Sequence, residues 1–297
     1  LWTAESHVSE TFREGDGWYA PWFTDPERKW GIRSLMVADL GNGQREIVLG
    51  RSSTMEFWSL DGGLIERVPI SFGDLEDLAL LELPGESLQV LGAQWAGGNA
   101  FISIVGANHR VVTNGGYRFI PEGGTSMRQW QQQGVAAVET ADLDGDSVEE
   151  VIVARSGHWN DVRALTHDEK PIWQQVFGPA EPRSRFVADM AVADINADGA
   201  VEIVAGLASG RALCFSSDGT LVWSRALGDA IRCLAIYDGG ISAGLKNGTV
   251  VFVRADGTVE GAADLGAAVD SLSVAGQEEP FVLATAGSQA AAFSLNQ

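Results

Sequence analysis

Two short stretches carry oxygen ligands at a spacing that suits a hard cation. In one, Asp142, Asp144, Asp146 and Glu150 stand at relative positions 1, 3, 5 and 9, and in the other Asp194, Asn196, Asp198 and Glu202 repeat that spacing. Alternate side-chain oxygens on a tight loop, with a backbone carbonyl near position 7, can wrap a cation that takes roughly six to eight oxygens. Calcium is the cofactor this chemistry predicts, and its role would be structural: it would pin a hairpin and take no part in a reaction. The competing reading is a pair of Asx-type turns, in which the same carboxylates accept backbone N–H groups. A third stretch begins at Asp39, but Gly41, Gly43 and a shortening by one residue remove its other ligands.

A second group of residues is suited to binding. The segments 9–30, 94–99, 117–133 and 156–161 hold Trp18, Tyr19, Trp22, Phe23, Trp30, Trp95, Tyr117, Trp130 and Trp159. They also hold Arg13, Arg28, Lys29, Arg118, Arg128 and His158, a basic share out of keeping with an acidic chain. A flat aromatic ring stacks on the apolar face of a sugar, and Arg pairs bidentately with a uronate carboxylate or a sulfate. Function also tends to sit on loops held by a rigid scaffold. The alternative is that these rings form small satellite cores that anchor long loops. Catalysis has less support, since neither a GxSxG elbow nor an HExxH helix occurs. A polysaccharide lyase could use His158 or Tyr117 as base with Arg118 or Arg128 neutralising a uronate, yet no spacing demands it.

The elements that must position these residues are strands in a repeat. MVADLGNGQREIVLG from Met36, ETADLDGDSVEEVIVAR from Glu139, AVADINADGAVEIVAGL from Ala191 and LAIYDGGISAGLKNG from Leu234 superimpose as strand, polar turn, strand. Two further copies, from Leu78 and Leu272, keep the pattern without the acidic turn. A third strand, a tight turn and a fourth strand follow each pair, as in CFSSDGTLVWSRAL from Cys214 and VFVRADGTVEGAADL from Val251. Asp-Gly between alternating strands is a strong hairpin signal. Four strands per roughly 40–50 residues is the period of a propeller blade.

The sequence therefore predicts an all-β chain forming one β-propeller domain over residues 1–297, with about six four-stranded blades. A seventh blade would have to fit into residues 9–31, which is too short. The last repeat stops after its third strand at AAAFSLNQ, and LWTAESHV reads as an orphan fourth strand, Leu1-Trp2 matching Ile172-Trp173 and Val222-Trp223. The N-terminal strand is thus expected to close the ring and remove two sheet edges. Trp2, Trp58, Trp173 and Trp223 fall within repeat strands and are expected to pack between blades. In this topology the first-to-second-strand turns lie on one face, and the aromatic segments lie on the other.

The DxDxDG stretch is similar to an EF-hand loop, but the Glu at position 12 is missing and strands flank it. The loops instead resemble those of FG-GAP or VCBS repeats, the units of integrin-α-type and many bacterial propellers. The resemblance covers most of the chain, and the third and fourth blades carry the full ligand set. It implies an exported protein (secreted, periplasmic or at the cell surface) of the kind appended to carbohydrate-active and surface proteins.

Composition narrows the partners. Twenty Lys and Arg against forty Asp and Glu give a formal charge of −20. That argues against nucleic acid and anionic lipid as ligands. No apolar run is long enough to insert in a bilayer. Leu1 in place of Met, with no signal-like stretch behind it, points to a mature chain or a piece of a larger one. Cys214 and Cys233 make no disulfide framework, and a single bond between them is left open. The function expected is a non-catalytic module that binds a glycan or polysaccharide, acidic ones included, through the aromatic and Arg-rich face. A protein-binding propeller and a lyase acting on a uronate-containing glycan are the alternatives.

Overall fold

Alternation of branched and small residues with polar ones, broken by Gly-containing turns, makes successive antiparallel hairpins the natural structure for this chain. A computed structural model describes residues 32–95, 100–119, 134–156, 159–177, 187–276 and 280–295. These residues form 21 strands. The chain divides into two compact units, 1–138 and 139–297.

The first unit holds β1 (Ser34–Asp39), β2 (Arg45–Ser59), β3 (Leu64–Leu81), β4 (Gln89–Trp95), β5 (Ala100–Gly106) and β6 (Val111–Phe119), hydrogen-bonded in that order as one sheet. Two separate four-stranded blades were expected here. Instead β2 runs through the second and third strands of the first repeat, and β3 joins its fourth strand to the first strand of the next. The register shifts between Ser52 and Thr54, and Ser52 pairs with Asp74, so the backbone keeps its hydrogen bonds through the bend. Ser53, at φ 60°, and Gly73, at φ 149°, supply the turning. Met55, Phe57, Leu75 and Val90 are fully buried between the layers.

The remaining strands obey the repeat. β7 (Gly134–Ala141), β8 (Glu150–Ser156), β9 (Asp161–Leu165) and β10 (Pro171–Val176) make one four-stranded sheet. β11 (Val187–Ala193), β12 (Glu202–Leu207), β13 (Arg211–Ser216) and β14 (Leu221–Ala226) make the next. β15 (Ile231–Tyr237), β16 (Gly240–Leu245), β17 (Thr249–Arg254) and β18 (Val259–Asp264) make a third. β19 (Ser271–Ala275), β20 (Phe281–Ala286) and β21 (Gln289–Ser294) form a three-stranded sheet. The residues expected to supply its fourth strand, Leu1–Val8, lie outside the described set.

Neighbouring sheets of the second unit are joined by a recurring clamp. Trp173 on β10 donates its indole N–H to the Ser217 carbonyl at 2.8 Å, and Gln175 donates to the Gly219 carbonyl at 2.8 Å. One sheet further on, Trp223 of β14 donates to the Ala255 carbonyl at 2.7 Å, and Arg225 to the Gly257 carbonyl at 2.5 Å. In each case the indole lies against the glycine of the following sheet's last hairpin turn. A Cβ at Gly219 would stand 2.6 Å from the Trp173 ring. These glycines also adopt φ of 81° and 80°, a region L-residues avoid. The packing role expected of Trp173 and Trp223 is what the structure contains.

Glu169 takes the same turn position in the preceding sheet at φ 69°. Thr166 N–H bonds the Lys170 carbonyl at 2.9 Å, as Ser216 N–H bonds that of Thr220 at 2.9 Å. Glu169→Gly is therefore expected to raise stability by about 0.5–1 kcal/mol, the relief of left-handed strain exceeding the added chain entropy. A denaturant midpoint unchanged or lowered in this variant would contradict that reading.

A second junction uses half-buried carboxylates. Asp77 on β3 accepts from Leu78 N–H at 2.9 Å and from Val138 N–H at 3.0 Å. Asp189 on β11 does the same with Met190 at 2.9 Å and Leu234 at 2.7 Å. Each acid thus ties the first strand of one repeat to the first strand of the next. Burial pushes the Asp189 carboxyl up to about 6, although its two backbone donors pull the other way.

Cys214 and Cys233 are both free and buried, and burial pushes each thiol up to about 12. They are packing residues in adjacent sheets, with no bond between them.

Candidate functional site

The metal-type loops are the turns β7–β8 and β11–β12. In the first, carboxylate oxygens of Asp142, Asp144 and Asp146 come within 4.8 Å of one another. Asp142 accepts from Gly145 N–H at 2.7 Å and Ser147 N–H at 2.8 Å, and Asp146 accepts from Val148 N–H at 2.8 Å. The Ser147 amide is the main cause of the lowered Asp142 carboxyl. Glu150 reaches in from β8 and accepts from Leu143 N–H at 2.9 Å. Burial raises its carboxyl, and repulsion from Asp144, Asp146 and Asp142 raises it further. Four acids thus converge on one turn, and each has lone pairs beyond those its backbone bonds use. This donor set fits a hard, oxygen-loving cation.

The second loop is arranged otherwise. Asn196 donates its amide N–H groups to Asp198 at 3.1 Å and to Glu202 at 2.9 Å. Asp194 accepts from Asp198 N–H at 3.1 Å and Gly199 N–H at 2.8 Å. Burial, then Asp198 and Asp194, raise the Glu202 carboxyl. The amide nitrogen sits between two acids, where the first loop has only carboxylates. The first loop is accordingly the better cation cradle.

The turn after Asp39 shows how the repeat closes without ligands. Asp39 accepts from Gly41, Asn42 and Gly43 N–H groups at 2.9, 3.1 and 3.0 Å. Asn42 donates to Glu46 at 3.2 Å, and His109 Nε2 lies 2.9 Å from the other Glu46 oxygen. Glu46 is the counterpart of Glu150 and Glu202, and an amide and an imidazole engage it here.

Of the residues expected on the aromatic face, Trp18, Tyr19, Trp22, Trp30, Arg128, Trp130 and His158 lie outside the described residues. Arg118 is placed as part of β6, and only its backbone is described. Tyr117 is a correction: it lies in β6 at φ 54° and is 2% exposed, so its ring is a packing group and no loop contact. The strand runs on through Tyr117 to Phe119, two residues into the expected loop segment.

Trp95 and Trp159 are both half-buried. Trp95 ends β4 and lies flat on the Gly134 backbone, where a Cβ would come within 2.2 Å of the ring. Trp159 follows β8, at the same end of its own sheet. The Arg155 guanidinium stands 4.7 Å from its ring centroid. Arg155 is itself locked by two bonds to Asp161, the Nε bond measuring 2.7 Å, and both residues are buried. Gln174 on β10 also donates to Asp161. The ring is held over a fixed cation, an arrangement worth roughly 0.5–2 kcal/mol in general. The buried Arg155–Asp161 pair and the Asp77 and Asp189 junctions were not anticipated. The recurrence of Asp-Leu-Ala at 77–79 and Asp-Met-Ala at 189–191 within aligned repeats was the available signal for the junctions.

No family profile and no curated protein matches this chain. Many solved structures resemble it, among them two of one complex. One is BBS1N in complex with ARL6DN, soaked with lead, at 13% identity and TM-score 0.69, covering 89% of this chain and 80% of that one. The other is the same complex soaked with mercury, at 12% identity and TM-score 0.64, covering 90% and 78%. At this identity the likeness concerns the fold alone: an all-β chain of repeated four-stranded sheets with the architecture of a β-propeller.

Proposed function

We propose that the chain is a non-catalytic recognition module that binds a glycan through aromatic side chains at the β8–β9 end of its blades. The observation that carries this reading is Trp159, a half-buried ring held over the locked Arg155 guanidinium in a turn. An indole fixed before the ligand arrives loses little entropy on binding. The Arg content of the flanking loops favours acidic polysaccharides. A glycan array probed with the intact chain tests this, with uronate-containing and sulfated glycans expected to rank highest and their signal to fall with added salt. A lyase would release new unsaturated ends from the same ligands.

A protein ligand is the second reading. It is favoured by one observation: the resembling BBS1N structures are complexes with another protein, ARL6DN. The same rings would then serve as interface anchors. An array with no glycan above background would favour it.

The scaffold in this reading is a ring of six blades of the FG-GAP type on an exported protein, closed by Leu1–Val8 pairing with β21. Calcium is the structural cofactor, held by Asp142, Asp144, Asp146 and Glu150, with the Asp194, Asn196, Asp198 and Glu202 loop as a weaker site. A cation at the first loop neutralises repulsion that raises Glu150. EDTA is expected to lower the melting temperature and calcium to restore it, by mass action on the folded state. Asp144→Ala should abolish most of that response. A melt indifferent to both additions would remove the metal from the account.

A further inference from the structure

Among the sheets of the second unit the Trp clamp joins the first to the second and the second to the third, but not the third to the β19–β21 sheet, and a cleft lies there. Trp173 pairs across its hairpin with Ala164, and Trp223 with Cys214. In the next sheet that register belongs to Gly261, paired with Phe252. The second clamp residue is lost as well. Gln175 pairs with Val162 and Arg225 with Ala212, whereas the matching partner of Val250 is Ala263. The indole and the long polar side chain that fill the two preceding junctions of this unit are therefore a hydrogen and a methyl group here.

The neighbours have not collapsed into the gap. A Cβ built on Gly261 meets nothing within 4 Å. A cleft of about 870 Å³ opens beside it, lined by Tyr237, Phe252, Arg254, Glu260 and Phe293. Phe252 and Phe293 meet edge to face with centroids 5.5 Å apart, so one wall is aromatic. The facing wall is polar, with Glu260 bonded to Arg254 and accepting the Tyr237 hydroxyl at 3.3 Å. Leu295, also on the lining, stands where Ser217 and Ala255 offer their carbonyls to an indole N–H in the other junctions.

We propose that this cleft binds a tryptophan side chain from an extended segment of a partner protein, with a basic residue two positions after it. The molecule's own junctions state the chemistry: an indole whose N–H meets a turn carbonyl, then an Arg or Gln at the i+2 position of a strand. That spacing belongs to an extended chain, in which residues i and i+2 point the same way. A basic second residue also suits a chain of net charge −20. The site is separate from the aromatic face of the glycan reading, and it stands or falls without it.

Acetyl-Trp-Ser-Arg-amide, the clamp sequence of residues 223–225, is the probe, with binding followed by ligand-observed saturation-transfer NMR on the full chain. The wild type is expected to bind it, and acetyl-Ala-Ser-Arg-amide to give no signal. Gly261→Trp refills the cleft, so it should raise the melting temperature and weaken the peptide at least tenfold. If that variant does not fold, Ala263→Arg, which fills only the second position, is expected to weaken the peptide as well. Equal binding to wild type and the filled variant that folds would overturn the proposal. So would free indole binding as tightly as the peptide, which would mark a small-molecule site. Binding seen only in Trp2→Ala would also overturn it, because the chain's own N-terminal residues would then fill the cleft.

Discussion

Trp223→Ala is expected to cost about 3–5 kcal/mol of stability, as large-to-small changes at packed aromatic sites do. The indole is 7% exposed and lies against Gly257, and its N–H bonds the Ala255 carbonyl at 2.7 Å. Truncation would leave a cavity and an unmet carbonyl at once. Trp223→Phe should recover much of the packing and none of the hydrogen bond, and so fall between the two. Chemical denaturation with fluorescence detection measures both variants. A loss below about 1 kcal/mol for Trp223→Ala would mean that the junction does not depend on the clamp.

Asp189 should give stability an acid-side rise. Its carboxyl is pushed from 3.8 to about 6 by burial, so between about pH 6 and pH 4 the folded chain holds a proton that the unfolded chain has released. Stability contributed by this group therefore grows as pH falls through that window and is lost again as pH rises through about 6. A displacement of about two units corresponds to roughly 3 kcal/mol at most, since a unit is about 1.4 kcal/mol. Other acids titrate in the same range, so the readout is the difference between the wild type and Asp189→Asn at each pH. That difference should move in favour of the wild type by about 2–3 kcal/mol from pH 7 to pH 4. A pH-independent difference would show that the carboxyl is not held in a desolvated place.

The parts of this molecule governed by local rules were legible in the sequence. Asp-Gly turns at 218–219 and 256–257 and the strands around them lie where the pattern puts them, because turn type and register follow from neighbouring residues. The packing of Trp173 and Trp223 was legible because the same residue recurs at the same place in two aligned repeats. Other features depend on residues distant in sequence. The fusion of two expected blades into β1–β6 turns on whether hydrogen bonding survives the bend at Ser52 and Ser53, which composition does not reveal. Tyr117 stands at the start of the expected loop segment 117–133, but β6 extends to Phe119 and takes it into the strand. The roles of Asp77 and Asp189 depend on the amide of the next repeat that stands opposite each, a pairing between residues 61 and 45 positions apart. The loop ligands were readable by type and spacing, yet the way Asn196 turns its nitrogen toward Asp198 and Glu202 needed coordinates.

The central claim is that rings presented by the turns, Trp159 first among them, bind glycan and are not mere packing. The direct test is equilibrium binding of wild type and Trp159→Ala to the highest-ranked glycan, with a thermal melt of each. Stacking on a flat ligand is worth roughly 1–3 kcal/mol per ring in comparable systems, so affinity should fall about 5- to 150-fold, while the melting temperature falls by no more than the few degrees that the contact with Arg155 accounts for. Unchanged affinity in Trp159→Ala, or a collapse of its melting temperature with affinity retained in the folded fraction, would contradict the claim and leave Trp159 as a packing residue.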